Sequence, residues 1–313
     1  MRRILLSALT ALSLAPVVLA QPAQAADVTI DTARGPVTLA APPARVAAFD
    51  VAAIDTLTAL GVPLAGVPDK LYVPALKDLD APHVGTLFEP DLEALANLGP
   101  DLIIVGGRTA TQRDALAQLA PTIDMSIGTE VLAHTSDRLA AYAALFDRQA
   151  QAQPLKQALD DKLAALAQAG KDKGRVLVVM TNGPKMSLYG PGSRFGWLYQ
   201  STGMAPAVEG LDSGANHGNA VSAEFIAKAD PDWLFVLDRG AAIGEEGQSA
   251  QATLNTPLIA GTKAWRNGQV AYLPSASLYI ASGGYASTVE VIDALTAALN
   301  GAAKAAETGA PAQ

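Results

Sequence analysis

One pattern occurs twice in this chain, 131 residues apart. Asp91-Leu92-Glu93 is followed by six residues, then Pro100-Asp101, six more residues and Arg108. Ser222-Ala223-Glu224 is followed by six residues, then Pro231-Asp232, six more residues and Arg239. The register agrees without a gap, and five matched positions point to two related lobes. A pair of lobes encloses a cleft, and interdomain clefts are preferred ligand sites.

The segments around the repeat fit that division. Arg45–Phe49, Leu102–Val105, Val176–Met180, Trp233–Leu237 and Val270–Leu273 are short apolar runs bounded by Pro, Gly or Asp, and they read as buried strands. Alanine- and leucine-rich segments at helical spacing alternate with them, such as Ala53–Leu60 and Val289–Leu299. This alternation predicts an α/β fold with largely parallel sheets. From Asp147 to Ala169 there is no strand signal, and Leu155, Leu159, Leu163 and Leu166 make one apolar stripe. The expectation is two Rossmann-like α/β lobes, at 26–146 and 171–300, joined by a single long helix over 147–170. Pro154 is tolerated only in the first turn of that helix, or else it kinks it. Residues 301–313 read as a flexible tail.

The start of the sequence reads as a signal peptide over residues 1–25. Arg2 and Arg3 precede a mostly apolar run from Ile4 to Ala20, and Ala23-Gln24-Ala25 is a small-x-small cleavage site. There is no cysteine, so neither disulfides nor a lipid-modified cysteine is expected. The expected product is a mature protein in the periplasm of a Gram-negative cell, without a membrane anchor. The formal net charge of −8 argues against nucleic acid, which favours basic faces.

Arg108 and Arg239 each follow a buried strand, and in open parallel sheets ligands sit beyond the carboxyl ends of strands. Arg194 follows Ser193 in a Gly-rich turn and reads as the first turn of a helix that Ser193 caps. The helix dipole disfavours an arginine there, so another reason for its presence is needed. Three converging guanidiniums would hold an anion, but spacing alone equally suits three surface arginines in ordinary ion pairs. Glu93 and Glu224 fall in helix first turns behind the caps Asp91 and Ser222, which is a sufficient structural reason for them. They also suit a docking role on the lobe rims. His217 lies in a polar loop, and Tyr279 lies between the last strand and the last helix. A phenolate suits Fe(III) and histidine can share such a site, though a solvated histidine and a rim tyrosine fit as well. No HExxH, paired Cys/His, Gly-x-Ser-x-Gly or Walker A pattern is present, and no enzyme is expected.

Taken together, the motifs resemble the periplasmic binding proteins for ferric siderophores, in particular the catecholate group that includes enterobactin- and petrobactin-type receptors. The carriers are Pro100-Asp-Leu-Ile-Ile-Val-Gly-Gly-Arg108, Gly192-Ser-Arg194-Phe-Gly196, His217-Gly-Asn-Ala-Val-Ser-Ala-Glu224, Pro231-Asp-Trp-Leu-Phe-Val-Leu-Asp-Arg239 and Tyr279-Ile-Ala-Ser-Gly-Gly284. The resemblance covers essentially the whole mature chain. It implies that Arg108, Arg194 and Arg239 surround a negatively charged catecholate–iron centre. It implies that His217 and Tyr279 complete the coordination of Fe(III) when the siderophore supplies four donors, and that Glu93 and Glu224 meet an ABC-transporter permease dimer. No intrinsic cofactor is implied: the iron arrives as cargo, the monomer captures it, and lobe closure is modest. A haem- or other metal-chelate-binding protein of the same fold is the nearer alternative, and a secreted α/β hydrolytic enzyme the distant one.

Overall fold

The computed structural model describes residues 27–302, apart from 41 and 216. The expected signal peptide and most of the expected tail lie outside the described residues. The chain opens with an antiparallel hairpin, β1 (Asp27–Thr32) and β2 (Gly35–Ala40). It continues through β3 (Val46–Ala48), α1 (Val51–Ala59), α2 (Leu92–Leu98), β4 (Leu102–Val105), α3 (Arg113–Leu116), β5 (Thr122–Asp124) and α4 (Val131–Leu145). Strands β3, β4 and β5 form a parallel three-stranded sheet in that order. All four residues of β4 are buried, as expected of a strand covered on both faces.

The second lobe contains β6 (Arg175–Asn182), β7 (Lys185–Tyr189), α6 (Trp197–Thr202), β8 (Ala205–Pro206), β9 (Asn219–Val221), α7 (Ala223–Ala229), β10 (Trp233–Asp238) and α8 (Arg239–Ile243). Then follow α9 (Ala250–Leu254), α10 (Pro257–Ala260), α11 (Lys263–Arg266), β11 (Val270–Tyr272) and α12 (Ser275–Tyr279), after which α13 (Tyr285–Ala297) returns to the helices of the first lobe. Its sheet runs β11-β10-β6-β7-β9, with β8 also on β6. The β11-β10-β6 part is parallel, as the sequence predicts. The β6-β7-β9 part is antiparallel and departs from that expectation. The tight turn after Asn182 sends the chain straight back along β6, which a parallel crossover of a dozen residues cannot do.

Between the two sheets in chain order runs α5 (Gln149–Gly170), the long helix. Its stripe faces inward: Leu159 and Leu166 are fully buried, and Leu155 and Leu163 pack on the same core. Pro154 stands in the second turn, not the first, and the helix continues through it. The carbonyl of Ala150 therefore has no i+4 amide donor. Gly170 is required by packing, because a Cβ there would stand 2.1 Å from the carbonyl oxygen of Thr202 in α6.

The repeat has a common structural basis. Asp91 and Ser222 cap α2 and α7, accepting from the backbone N–H groups of Ala94 (2.9 Å) and Phe225 (3.4 Å). Seven helical residues follow each cap, and a left-handed residue, Gly99 or Asp230, stops the helix. The aspartate after each proline then fixes the start of the neighbouring strand. Asp101 accepts from the N–H groups of Ala44 (2.8 Å) and Arg45 (3.0 Å), and Asp232 accepts from Arg175 N–H (2.8 Å).

One core cluster runs through both lobes, from Ile54 and Leu57 of α1 through Tyr142 of α4 to Phe235 of β10 and Ile292 of α13. Helix α13 packs on α1, α4 and α5. Its N-cap, Gly284, has no side chain to satisfy the first amides. Two α1 side chains do so instead: Asp55 accepts from Ser287 N–H at 3.0 Å, and Thr56 accepts from Tyr285 N–H at 3.1 Å.

Candidate functional site

A cavity of about 510 Å³ opens between the lobes, within the usual range of roughly 300–1,000 Å³ for ligand pockets. Its first wall comes from residues that follow β3, β4 and β5, including Asp50, Arg108 and Ser126. Its second wall brings Arg194 and Tyr279. The first group lies beyond the carboxyl ends of the parallel strands, where open α/β sheets place their ligands.

Arg108 and Arg194 reach the same target from opposite lobes. Both donate to the backbone carbonyl of Tyr279, Arg108 through Nη2 at 3.3 Å and Arg194 through Nη2 at 3.1 Å. Both guanidiniums also lie over the Tyr279 ring, at 5.3 and 4.9 Å from its centroid, and Arg194 additionally faces Phe195 at 4.8 Å. These are cation–π distances. Burial lowers the pKa of Arg194 from its ordinary value, Tyr279 opposes that, and the charge of Arg108 adds to it. Among the described residues no carboxylate comes within ion-pair distance of either arginine. Two adjacent cations held on a carbonyl and an aromatic face would be stabilised by an anion between the lobes.

Arg194 does not occupy the helical position expected of it. The residues before Trp197 form turns, and α6 starts at Trp197 with Gly196 as its cap. Ser193 does not cap that helix. Its hydroxyl donates to the carbonyl of Gly190 at 2.7 Å, a local turn bond that competes with capping. The expected conflict between Arg194 and a helix dipole therefore does not arise.

The remaining expected residues lie elsewhere. Arg239 opens α8 and pairs within its own lobe, with Asn182 Oδ1 at 3.3 Å and Glu245 Oε2 at 3.5 Å. His217 sits exposed on the turn closed by the Gly218 N–H to Ala215 carbonyl bond. Neither residue lines the cavity. Glu93 and Glu224 are exposed in the first turns of α2 and α7. The hydroxyl of Ser222 holds the pKa of Glu224 below the ordinary carboxylate range.

Sequence reasoning missed Arg138 and Asp50. Arg138 is only 5% exposed, and its Nη1 lies 3.3 Å from Asp50 Oδ2 at the cavity floor. The signal was present: Val131, Thr135, Arg138, Leu139 and Tyr142 form the buried face of α4, and a charge on an apolar stripe is a marked exception.

Among the described residues, no group of three or more His, Cys, Asp or Glu side chains is placed to hold a metal ion. The cavity offers the guanidiniums of Arg108, Arg138 and Arg194, the Tyr279 phenol, the hydroxyls of Ser126, Thr129 and Ser282, and one carboxylate, Asp50, which Arg138 pairs. Such a set suits an anionic complex that brings its own metal donors better than a bare cation.

Two α/β lobes around a cationic cavity define a class of ligand-capturing proteins. The chain belongs to the periplasmic binding protein family, whose model matches residues 46–277. It is 35% identical over 257 residues to the petrobactin-binding protein YclQ of Bacillus subtilis, covering 80% of each chain. It is 33% identical to the ferric-anguibactin-binding protein FatB of Vibrio anguillarum, over 80% of this chain and 81% of that one. The crystal structure of YclQ superposes with a TM-score of 0.80, covering 88% of this chain and 99% of that one. The periplasmic catecholate-siderophore binding protein VctP of Vibrio cholerae also gives a TM-score of 0.80 at 27% identity, covering 87% of this chain and all of that one. No helix among the described residues is long and apolar enough to cross a membrane.

Proposed function

We propose that this chain captures an anionic ferric catecholate siderophore in the periplasm and delivers it to an inner-membrane ABC permease. The observation that carries this reading is the convergence of Arg108 and Arg194, from opposite lobes, on Tyr279 in one cavity. Catecholate–iron complexes are negatively charged and flat-ringed, so they suit charge-assisted bonds and stacking on guanidiniums. The named cargoes of the relatives, petrobactin and ferric anguibactin, support iron chelates as the ligand class.

A tetradentate siderophore leaves two Fe(III) positions open. In this proposal the Tyr279 phenolate fills one, and His217 fills the other once the 212–218 loop has moved to the cavity. Arg239 exchanges Asn182 and Glu245 for the ligand as the lobes at 26–146 and 171–300 close. The exposed Glu93 and Glu224, at matching places in the two lobes, meet the two subunits of a permease dimer. The monomer acts after removal of residues 1–25, without a lipid anchor, and it catalyses no reaction.

Intrinsic-fluorescence titration of the mature protein with a ferric linear bis-catecholate, beside haemin and cyanocobalamin, tests the proposal. Selective quenching by the ferric catecholate is expected. Preferential binding of haemin or cobalamin overturns the cargo.

A further inference from the structure

Among the described residues four charged side chains line the cavity, and three are arginines: Arg108, Arg138 and Arg194. The fourth is Asp50. A carboxylate in a cavity that receives an anion is out of place unless something offsets it. Asp50 is there for a local reason, since it caps α1 and accepts from Ala52 N–H at 3.4 Å. Its side chain is packed tightly against the turn that carries Arg108: a Cβ on Gly106 would stand 2.8 Å from the Asp50 carboxylate.

Arg138 is the residue that answers this charge. Its side chain is 6% exposed and that of Asp50 is 13% exposed, and the two meet at 3.3 Å. Among the described residues neither Asp50 Oδ2 nor Arg138 Nη2 has a hydrogen-bond partner, nor does the Tyr142 hydroxyl one turn further along α4. An ion pair with both of these atoms unsatisfied is poor stabilisation, and apolar residues often replace buried pairs without loss. Burial raises the pKa of Asp50, and Arg138 is the largest influence opposing the rise. Arg108 acts the same way, and Asp124 on β5 acts against both. Arg194 faces the same cavity from the other lobe.

We infer that Arg138 is a positioning and specificity-determining residue of the ligand site, which acts through Asp50: it offsets the single carboxylate of the cavity floor, so that an anionic ligand meets net positive charge. The inference rests on the reading of the cavity as an anion site. With Arg138 the lining carries three positive charges against one negative. Without it the Asp50 carboxylate faces the ligand unpaired. At an effective dielectric near 20 and a separation of roughly 10 Å, that change is on the order of tenfold in affinity per ligand charge.

The test compares wild type with Arg138→Gln, Arg138→Lys, Asp50→Asn and the Asp50→Asn/Arg138→Gln double variant, titrated with a ferric linear bis-catecholate from about pH 5.5 to about pH 8. Arg138→Gln should bind at least about tenfold more weakly than wild type at the upper pH. Arg138→Lys and the double variant should lie within about threefold of wild type. Should Arg138→Gln not fold, Asp50→Asn decides alone: binding tighter than wild type supports the inference, and weaker binding overturns it. An Arg138→Gln deficit that the Asp50→Asn change fails to recover also overturns it. If wild type itself binds no ferric catecholate, it is the proposed function that fails.

Discussion

Replacing Asp55 by asparagine should stabilise the protein at neutral pH, although it removes a charge that caps a helix. Asp55 is 1% exposed, on the face of α1 that meets the start of α13. Burial pushes its pKa up to about 6 from an ordinary 3.8, and the hydrogen bonds from Ser287 and Ala286 only partly oppose this. The desolvation cost of the ionised form therefore exceeds what capping returns. A rise of roughly two pH units corresponds to about 3 kcal/mol. The folded state binds the proton more tightly than the unfolded state, so this stabilisation is complete below about pH 4 and is lost as pH rises through about 6. Asparagine keeps an acceptor for the Ser287 N–H and does not titrate. Urea denaturation followed by tryptophan fluorescence should find Asp55→Asn more stable than wild type by up to about 3 kcal/mol near pH 7.5, with little difference near pH 4. A variant less stable than wild type at neutral pH, or a difference that does not change with pH, would refute the reasoning.

Tyr279→Phe should abolish a phenolate-to-iron charge-transfer band in the ferric-catecholate complex while much of the affinity remains, because both arginines bond to the backbone carbonyl of that residue; visible spectra of the loaded proteins decide it. Arg194→Ala removes a charge-assisted contact and a stacking surface, and affinity should fall by about tenfold to a hundredfold in the same titration. Glu93→Arg and Glu224→Arg should leave binding unchanged and reduce uptake of siderophore iron in cells. Asp101→Ala loses the bonds to Ala44 and Arg45 and should lower unfolding stability by about 1–2 kcal/mol in urea.

The architecture was legible where apolar runs were long; β5 is buried throughout but is only Thr122-Ile123-Asp124, and it was not read as a strand. Strands β4 and β10, with their unbroken apolar runs, and α5, with its leucine stripe, were visible because periodicity records burial directly. Strands β7 and β9 were not. Their residues are only partly buried over much of their length, so hydrophobicity marks them weakly, and the antiparallel pairing of β7 with β6 follows from the short turn after Asn182. Of the residues the sequence singled out, the cavity brings together Arg108, Arg194 and Tyr279, each placed after a strand or a Gly-rich turn, and leaves Arg239 and His217 outside. The pairing of Asp50 with Arg138 joins positions 88 residues apart and could not be read from either segment alone. Ser193 misled because a serine beside a helix start has two competing hydrogen-bond options, and here the turn is preferred.

The two copies of the repeat share an anchor but not an exit. From Asp101 to Arg108 the chain spends four residues in β4 and then turns at Gly106 and Gly107. From Asp232 to Arg239 it stays in β10 for six residues and enters α8 at once. The anchoring aspartates isolate what lies before them from what lies after. The helix bearing the exposed glutamate can therefore stay constant while the few residues past the strand are rewritten. Selection for a new cargo can act on one end of each unit without disturbing the other, and the two lobes can do so independently.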